Sequence, residues 1–252
     1  MNLFRAMYLS VFFKIKLKQV FEAFPFFKGK TYTSFLIVGH PRTGTSLLHT
    51  YLNSHTHIHS LNEPLKITRD IESLFKPYSN WIEAVGFKYF FEYTADEEKR
   101  NTLVGMLKSR DIKVIIIRRK NQLHTYASLC IAKKTNEWSS IGDSKSNLSD
   151  KQITLHKDAC LQAFQVFQKN ELDTVEIFKQ ASLPIFEVAY ETLVESPEEV
   201  MLAVQQFLGV KLQALQSLLV RQNTEQLSSL ILNYHTLKNE FKHSEYEYFF
   251  DE

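Results

Sequence analysis

The sequence predicts an α/β protein in which a central, mainly parallel sheet is flanked by helices in a three-layer arrangement. Three apolar runs are typical of strands buried on both faces of such a sheet: residues 35–38, 113–117 and 184–189. Residues at helical spacing follow each run, and a further long helix is predicted from about residue 153 to residue 180. No internal repeat or low-complexity linker interrupts the chain, so we expect a single domain over residues 31–252.

Composition narrows the functional class. The chain has 252 residues with 44% hydrophobic and 23% charged side chains, which is typical of a globular protein with a substantial core. A formal net charge of +2 gives no reason to expect a nucleic-acid partner. The two cysteines, Cys130 and Cys160, cannot form a disulfide framework, so we expect reduced, mostly buried thiols in a cytoplasmic protein.

Residues 1–30 form a basic, aromatic-rich segment ahead of the domain. Their apolar run is too short to span a bilayer, and no small-residue cleavage site follows it as in a signal peptide. We expect an amphipathic helix packed on the domain through its aromatic side chains. The alternative is a basic helix resting peripherally on the inner face of a membrane.

The first apolar run leads into a loop with the composition of an anion-binding site. Residues 39–46, GHPRTGTS, join the strand to a helix-like repeat. This layout points several backbone N–H groups and a helix N-terminus at one anion. Arg42 adds a fork of N–H donors, and hydroxyl donors come from Thr43, Thr45 and Ser46. A strand-to-helix turn with chance glycines is the alternative.

The same loop departs from the P-loop of nucleotide-hydrolysing enzymes at one position. Gly39, Gly44 and Ser46 fit the frame G-x-x-x-x-G-K-[ST], but Thr45 stands where the lysine should be. That lysine reaches the β- and γ-phosphates in ATPases, so its absence argues against ATP or GTP hydrolysis. The loop therefore predicts a phosphate or sulfate site.

Charged residues follow two further predicted strands. Glu63 comes at the end of a short second strand, and Arg118 and Arg119 follow the run at 113–117, with Ser128 on the next helix. Because sites in open α/β sheets gather at the carboxyl ends of strands, we expect Glu63 to face the anion and the arginines to form a second anion site. A solvated loop glutamate and a solvated basic turn are the alternatives.

A metal site is not expected. His55, His57 and His59 alternate along an extended segment, and alternation rarely brings three imidazoles to one ion.

Several motifs together resemble one known family. Residues Pro41 to Ser46 match at each position the loop P-[RK]-[ST]-G-[ST]-[ST] of the sulfotransferases that use 3′-phosphoadenosine-5′-phosphosulfate (PAPS). Residues 86–88 resemble the G-x-K strand of that family. The serine helix with Thr135 and Trp138 downstream resembles the bacterial carbohydrate sulfotransferases that act on Nod factors and trehalose glycolipids. Their tail usually begins Lys-Gln, where this chain has Arg221 and Gln222.

The resemblance implies a fold, a reaction and residue roles. It implies a P-loop NTPase-like fold and transfer of the sulfuryl group from PAPS to a hydroxyl of a carbohydrate or glycolipid, with 3′,5′-ADP as product and without a metal. It assigns the 5′-phosphosulfate to the loop and the leaving oxygen to Arg42. It assigns the 3′-phosphate to Arg119 and Ser128, with Arg118 as the alternative arginine. Arg221 is expected near the nucleotide, and Glu63 is the expected general base.

Two other functions stay open at the level of sequence. A P-loop kinase or NTPase-like phosphotransferase would need a lysine near the γ-phosphate and an aspartate for Mg²⁺, and neither is well placed. A non-catalytic nucleotide- or glycan-binding protein on the same scaffold would use the anion site without Glu63. The sequence leaves the acceptor and the oligomeric state open.

Overall fold

The computed structural model describes residues 13, 14, 16, 18, 31–66, 72–138, 146–219 and 224–251. The strands are β1 (Thr33–Gly39), β2 (Ile58–Leu61), β3 (Ala84–Phe90), β4 (Ile112–Arg118) and β5 (Ile185–Ala189). The helices are α1 (Thr45–Asn53), α2 (Glu97–Ser109), α3 (Gln122–Thr135), α4 (Leu148–Lys151), α5 (Lys157–Gln180), α6 (Tyr190–Glu195), α7 (Pro197–Leu208), α8 (Leu227–Leu230) and α9 (Tyr234–Glu240). Of the helices in these described ranges, none is long and apolar enough to cross a membrane.

The five strands form one sheet in the order β2-β3-β1-β4-β5, and every pair is parallel. This confirms the predicted α/β sheet and the central place of the runs at 35–38 and 113–117. The prediction that the run at 184–189 is also central and buried is wrong, because β5 lies at the edge of the sheet and is only partly buried. Ile37 of β1 pairs with Lys88 of β3 and with Ile115 of β4. Because all strands run the same way, their carboxyl ends meet at one edge, where loops from four strands can share a site.

Alternate residues of each strand build the core on the two faces of the sheet. Leu36, Val38 and Tyr89 pack with residues of α2 and α5 on one face. Ile37 and Ile115 pack with residues of α1 and α7 on the other. Both sets are fully buried, so the strands are apolar on both faces, as parallel strands covered by helices require.

A third core cluster lies beside the sheet and holds the end of the described chain in place. It joins α3 and α5 to α8, α9 and the turn Glu247–Phe250, with Phe164 surrounded by the rings of Phe241, Tyr246 and Phe249. Cys160 is buried in this cluster, and both cysteines are free.

Two expectations about local structure need comment. The long helix begins at Lys157 and not near residue 153, because Ile153 makes a parallel bridge with Ile231 and is extended there. The predicted docking of residues 1–30 lies mostly outside the described residues. Within them, Lys18 is buried and donates to the carbonyls of Asn53 (2.6 Å) and Ile58 (2.7 Å).

Candidate active site

The backbone of the anion-binding loop has a positive φ angle at two residues, Gly44 and Arg42. Gly44, which precedes α1, has a φ of 96°, and a Cβ atom there would lie 2.6 Å from Cδ2 of Tyr190. Arg42 also has a positive φ of 72°, a conformation that is uncommon for a non-glycine residue. No side chain of the described residues caps the N-terminus of α1, and a helix N-terminus without such a cap is suited to an anion.

The loop hydroxyls take different roles. Thr43 donates from its hydroxyl (2.7 Å) and from its backbone N–H (3.3 Å) to the His40 carbonyl, which closes the turn. Thr45 is buried at the first position of α1. Ser46 accepts a hydrogen bond from the ammonium of Lys88 at 2.9 Å. The Thr43 hydroxyl is thus engaged inside the loop, and the Ser46 hydroxyl is oriented by a cation.

Arg42 joins the loop to the second predicted anion site. Its Nε donates to the hydroxyl of Ser128 on α3 (3.0 Å), and its Nη1 donates to the Trp138 carbonyl (2.5 Å). Burial, followed by the nearby charge of Arg119, lowers the pKa of Arg42. Two guanidiniums that repel each other in a partly desolvated site favour an anion between them. The structure therefore brings Arg42, Arg119 and Ser128 together, as expected.

The structure also separates the two candidate arginines. Arg118 bonds to Glu171 (2.5 Å) and to Glu187 (2.8 Å), and despite burial these carboxylates raise its pKa. Arg119 instead lies over the ring of Tyr190, 4.8 Å from its centroid. Arg118 is already neutralised by two carboxylates, whereas Arg119 adds its charge to that of Arg42. Arg221 lies outside the described residues.

Glu63 reaches the anion-binding loop through a lysine that sequence reasoning did not place in the site. Lys88, inside β3, has a side chain only 1% exposed, and its Nζ lies 3.2 Å from Glu63 Oε1. Since the same Nζ bonds to Ser46, Lys88 bridges the loop and the carboxylate. Lys66 forms a second ion pair with Glu63. The sequence did contain a signal for this role of Lys88: it is a charged residue within an apolar strand, and a buried charge requires a partner.

The charges of this cluster shift its titration. Burial acts to raise the pKa of Glu63, but the bonds and charges of Lys66 and Lys88 hold it below its usual value. Burial lowers the pKa of Lys88, and Glu63 acts against that shift. At neutral pH Glu63 is therefore ionised and paired with both lysines.

A second pair, the buried His40 of the loop and the half-buried Glu92, was also missed. Nδ1 of His40 lies 2.7 Å from Oε1 of Glu92. The imidazole packs between the rings of Phe91 (4.8 Å) and Phe167 (4.7 Å). The residue types gave no signal, since only the fold brings the end of β3 and the middle of α5 beside β1.

The alternating histidines serve the structure. His55 accepts from the backbone N–H of His57 (2.9 Å) and contacts the Lys211 carbonyl through Nε2 (2.7 Å). His57 contacts the Trp81 carbonyl at 2.6 Å. Across the described part of the chain, no group of three potential ligands is placed to hold a metal ion.

Comparisons with known proteins agree with this geometry. The family model described as "Sulfotransferase domain" matches residues 32–251. The chain is similar to "Nodulation protein H" of Rhizobium meliloti (strain 1021), with 26% identity over 240 residues that cover 86% of this chain and 94% of that protein. A second "Nodulation protein H" of Rhizobium meliloti is 25% identical over 238 residues, with the same coverage.

One solved structure shows the same fold. The "Crystal Structure of Sulfotransferase from Alicyclobacillus acidocaldarius" superimposes with a TM-score of 0.50 and 15% identity over 84% of this chain and 92% of that one.

Proposed function

Because the chain belongs to the sulfotransferase family, we propose that it transfers the sulfuryl group from PAPS to a hydroxyl of a carbohydrate or glycolipid acceptor. One observation carries this proposal. Lys88 contacts both Ser46 of the anion-binding loop and Glu63, which supports a reaction in which a carboxylate close to the loop accepts the proton. The carbohydrate class rests on the motifs that resemble the bacterial carbohydrate enzymes.

Each polar residue of the site has a role in this reaction. Glu63 would accept the proton of the acceptor hydroxyl as its oxygen attacks sulfur. Lys88, held beside Ser46, would face the oxygens of the sulfuryl group during transfer. Arg42 and the N–H groups at the start of α1 would stabilise the charge that grows on the departing phosphate oxygen, because they are fixed before the reaction begins.

The second anion site would select the nucleotide. Arg119 and Ser128 would bind the 3′-phosphate, so nucleotides without that group would lack two contacts. Arg42 bonds to Ser128, which connects the two phosphate positions and agrees with one bound molecule spanning both. Charge-assisted bonds of this kind contribute about 1.5–3 kcal/mol each.

Calorimetry with three nucleotides tests the nucleotide assignment. We expect 3′,5′-ADP to bind at least about tenfold more tightly than 5′-AMP or ATP, the equivalent of one charged contact. Arg119→Ala should abolish this preference. Arg118→Ala is the matched control and should retain it, since Arg118 is paired with Glu171 and Glu187.

Two outcomes would reject the assignment. Equal affinity for the three nucleotides, or preference for ATP with Mg²⁺, would indicate a phosphotransferase. Loss of the preference in Arg118→Ala and not in Arg119→Ala would exchange the roles of the two arginines.

A further inference from the structure

His40 and Glu92 are the first polar residues after two neighbouring strands. β1 and β3 are parallel and pair Gly39 with Phe90, so the chain leaves both strands at the same level of the sheet. His40 follows Gly39 in the anion-binding loop, and Glu92 lies in the short helical turn Phe91–Ala95 that follows β3. Nδ1 of His40 lies 2.7 Å from Oε1 of Glu92. The pair therefore joins the loop to the neighbouring strand connection.

The connection that carries Glu92 is fixed to α5. Thr94, in the same helical turn, is buried, and its hydroxyl oxygen lies 2.6 Å from that of the fully buried Thr174. Thr174 in turn donates to the Asn170 carbonyl at 2.8 Å. The hydroxyl of Tyr89, at the end of β3, lies 3.2 Å from that of Thr94. Packed elements therefore hold Glu92 in front of His40.

His40 in turn holds the anion-binding loop through its own carbonyl. This carbonyl accepts hydrogen bonds from the hydroxyl of Thr43 (2.7 Å) and from its backbone N–H (3.3 Å). Arg42 and Gly44, on either side of Thr43, have positive φ angles. Such backbone conformations persist where the surrounding structure holds them. Because His40 is only 6% exposed, contacts of its imidazole fix where this carbonyl lies.

The Glu92 carboxylate bonds to no side chain other than His40 in the described part of the chain. Its Oε2 atom is buried and makes no hydrogen bond there. A negative charge near an anion site weakens anion binding, so the charge of Glu92 does not itself favour the nucleotide. Burial of a carboxylate also costs free energy unless the group is bonded. These observations leave the orientation of His40 as the contribution of Glu92 to the site.

We propose that His40 is a positioning residue of the anion-binding loop, and that Glu92, acting through His40, holds the loop in the arrangement that binds the 5′-phosphate of the nucleotide. This inference rests on the proposed sulfotransferase function. It adds to that function a pair of side chains that set the affinity for the 5′ group without contributing a donor to it.

Two nucleotides that differ only in the 5′-phosphate test this role. 3′-AMP shares the adenosine and the 3′-phosphate of 3′,5′-ADP but has no phosphate for the loop. Calorimetry measures the affinity of both for the wild type, Glu92→Met and His40→Leu, at a temperature at which thermal unfolding shows each protein to be folded. Each variant should bind 3′,5′-ADP about tenfold to hundredfold more weakly, the equivalent of one hydrogen bond to a charged group, and 3′-AMP like the wild type.

Glu92→Met separates positioning from charge. Loss of a negative charge would by itself strengthen the binding of a phosphate, whereas loss of positioning weakens it. The double variant His40→Leu/Glu92→Met should lose no more affinity than either single variant, because both substitutions break the same contact. His40→Asn, whose amide nitrogen can replace Nδ1 as a donor, should recover part of the affinity that His40→Leu loses.

His57→Leu is the matched control. Nδ1 of His57 contacts the Trp81 carbonyl at 2.6 Å, and His57 precedes β2, so it lies at the end of the sheet opposite the loop. This variant also loses a contact of an imidazole, but it should bind both nucleotides as the wild type does.

Several results would overturn the proposal. Equal weakening of both nucleotides would show that the pair only stabilises the fold. Unchanged or tighter binding of 3′,5′-ADP by Glu92→Met, additive losses in the double variant, or no recovery in His40→Asn would show that the pair does not position the loop. Wild-type protein that binds 3′,5′-ADP no more tightly than 3′-AMP, 5′-AMP and ATP would instead reject the nucleotide site, and with it the proposed function.

Discussion

Replacing Glu63 with glutamine should affect both stability and turnover, through the buried ammonium of Lys88. The amide keeps the shape of the carboxylate but removes the negative charge between Lys66 and Lys88. Lys88, 1% exposed, then has only neutral hydrogen-bond partners in its described surroundings and a like charge nearby in Lys66. Removing one member of a buried ion pair costs about 3–5 kcal/mol, because the remaining charge is uncompensated.

The titration of Lys88 sets an upper limit on the loss of unfolding free energy in Glu63→Gln. Its ammonium can escape the penalty by losing its proton, and from the usual pKa of 10.5 this costs about 5 kcal/mol at pH 7. Burial already lowers the pKa of Lys88 in the wild type, so the limit is below that value. We expect Glu63→Gln to lose about 2–4 kcal/mol of unfolding free energy at pH 7.

The pH dependence of this loss has a definite sign. In the variant, the folded state releases the Lys88 proton at a lower pH than the unfolded state does. Between the pKa of Lys88 in the folded variant and its pKa of 10.5 in the unfolded chain, the unfolded state binds more protons. The stability of the variant therefore rises with pH toward 10.5 and approaches that of the wild type.

Denaturant unfolding between about pH 6 and pH 10 measures these effects. Glu97→Gln, exposed in the first turn of α2, is the matched control and should differ little from the wild type at any pH. Equal stability of Glu63→Gln and the wild type, without pH dependence, would refute the buried pair. Sulfuryl transfer should fall roughly 100- to 10,000-fold, and near-normal turnover would refute Glu63 as the base.

Two further predictions concern the loop and the core. Gly44→Ala should destabilise the protein by about 1–3 kcal/mol and abolish 3′,5′-ADP binding, because φ is 96° and the added Cβ meets Tyr190. The control is Gly105→Ala, in α2 with open space around the Cβ, which should be neutral or stabilising. Calorimetry measures nucleotide binding by the two variants, and thermal unfolding measures their stability. Burial raises the pKa of Cys160 to about 12. We therefore expect iodoacetamide at about pH 8 to alkylate this thiol only after the protein unfolds, and mass spectrometry measures the alkylation. Rapid alkylation of the native protein would contradict the burial of Cys160.

Much of the site could be predicted because it depends on short stretches of chain. The order strand, loop, helix at residues 33–53 follows from local periodicity, and the donors of the loop are adjacent in sequence. Arg119 and Ser128 lie on one strand–helix connection, so their approach to the loop follows from the parallel order of β1 and β4. Their assigned roles stay predictions until a nucleotide is bound.

The missed residues come from contacts between distant segments. Lys88 was assigned only to a strand, although its charge in an apolar run required a partner. That partner is Glu63, which follows the neighbouring strand β2. His40 was seen only as part of the loop, because Glu92 is 52 residues away and Phe167 lies on α5. The predicted start of α5 failed for the same reason, since Ile153 pairs with the distant Ile231.

The sequence by itself determined the parallel α/β architecture and the anion-binding loop, because both depend on periodicity and backbone preferences within one segment. The tertiary structure alone separated the environments of the two arginines, since Glu171 and Glu187 on other elements neutralise Arg118 whereas Arg119 lies over Tyr190. It also decided that Glu63, Lys88 and Ser46 meet. Pairing between buried charges depends on which strands become neighbours, and that order is set by packing of the whole chain.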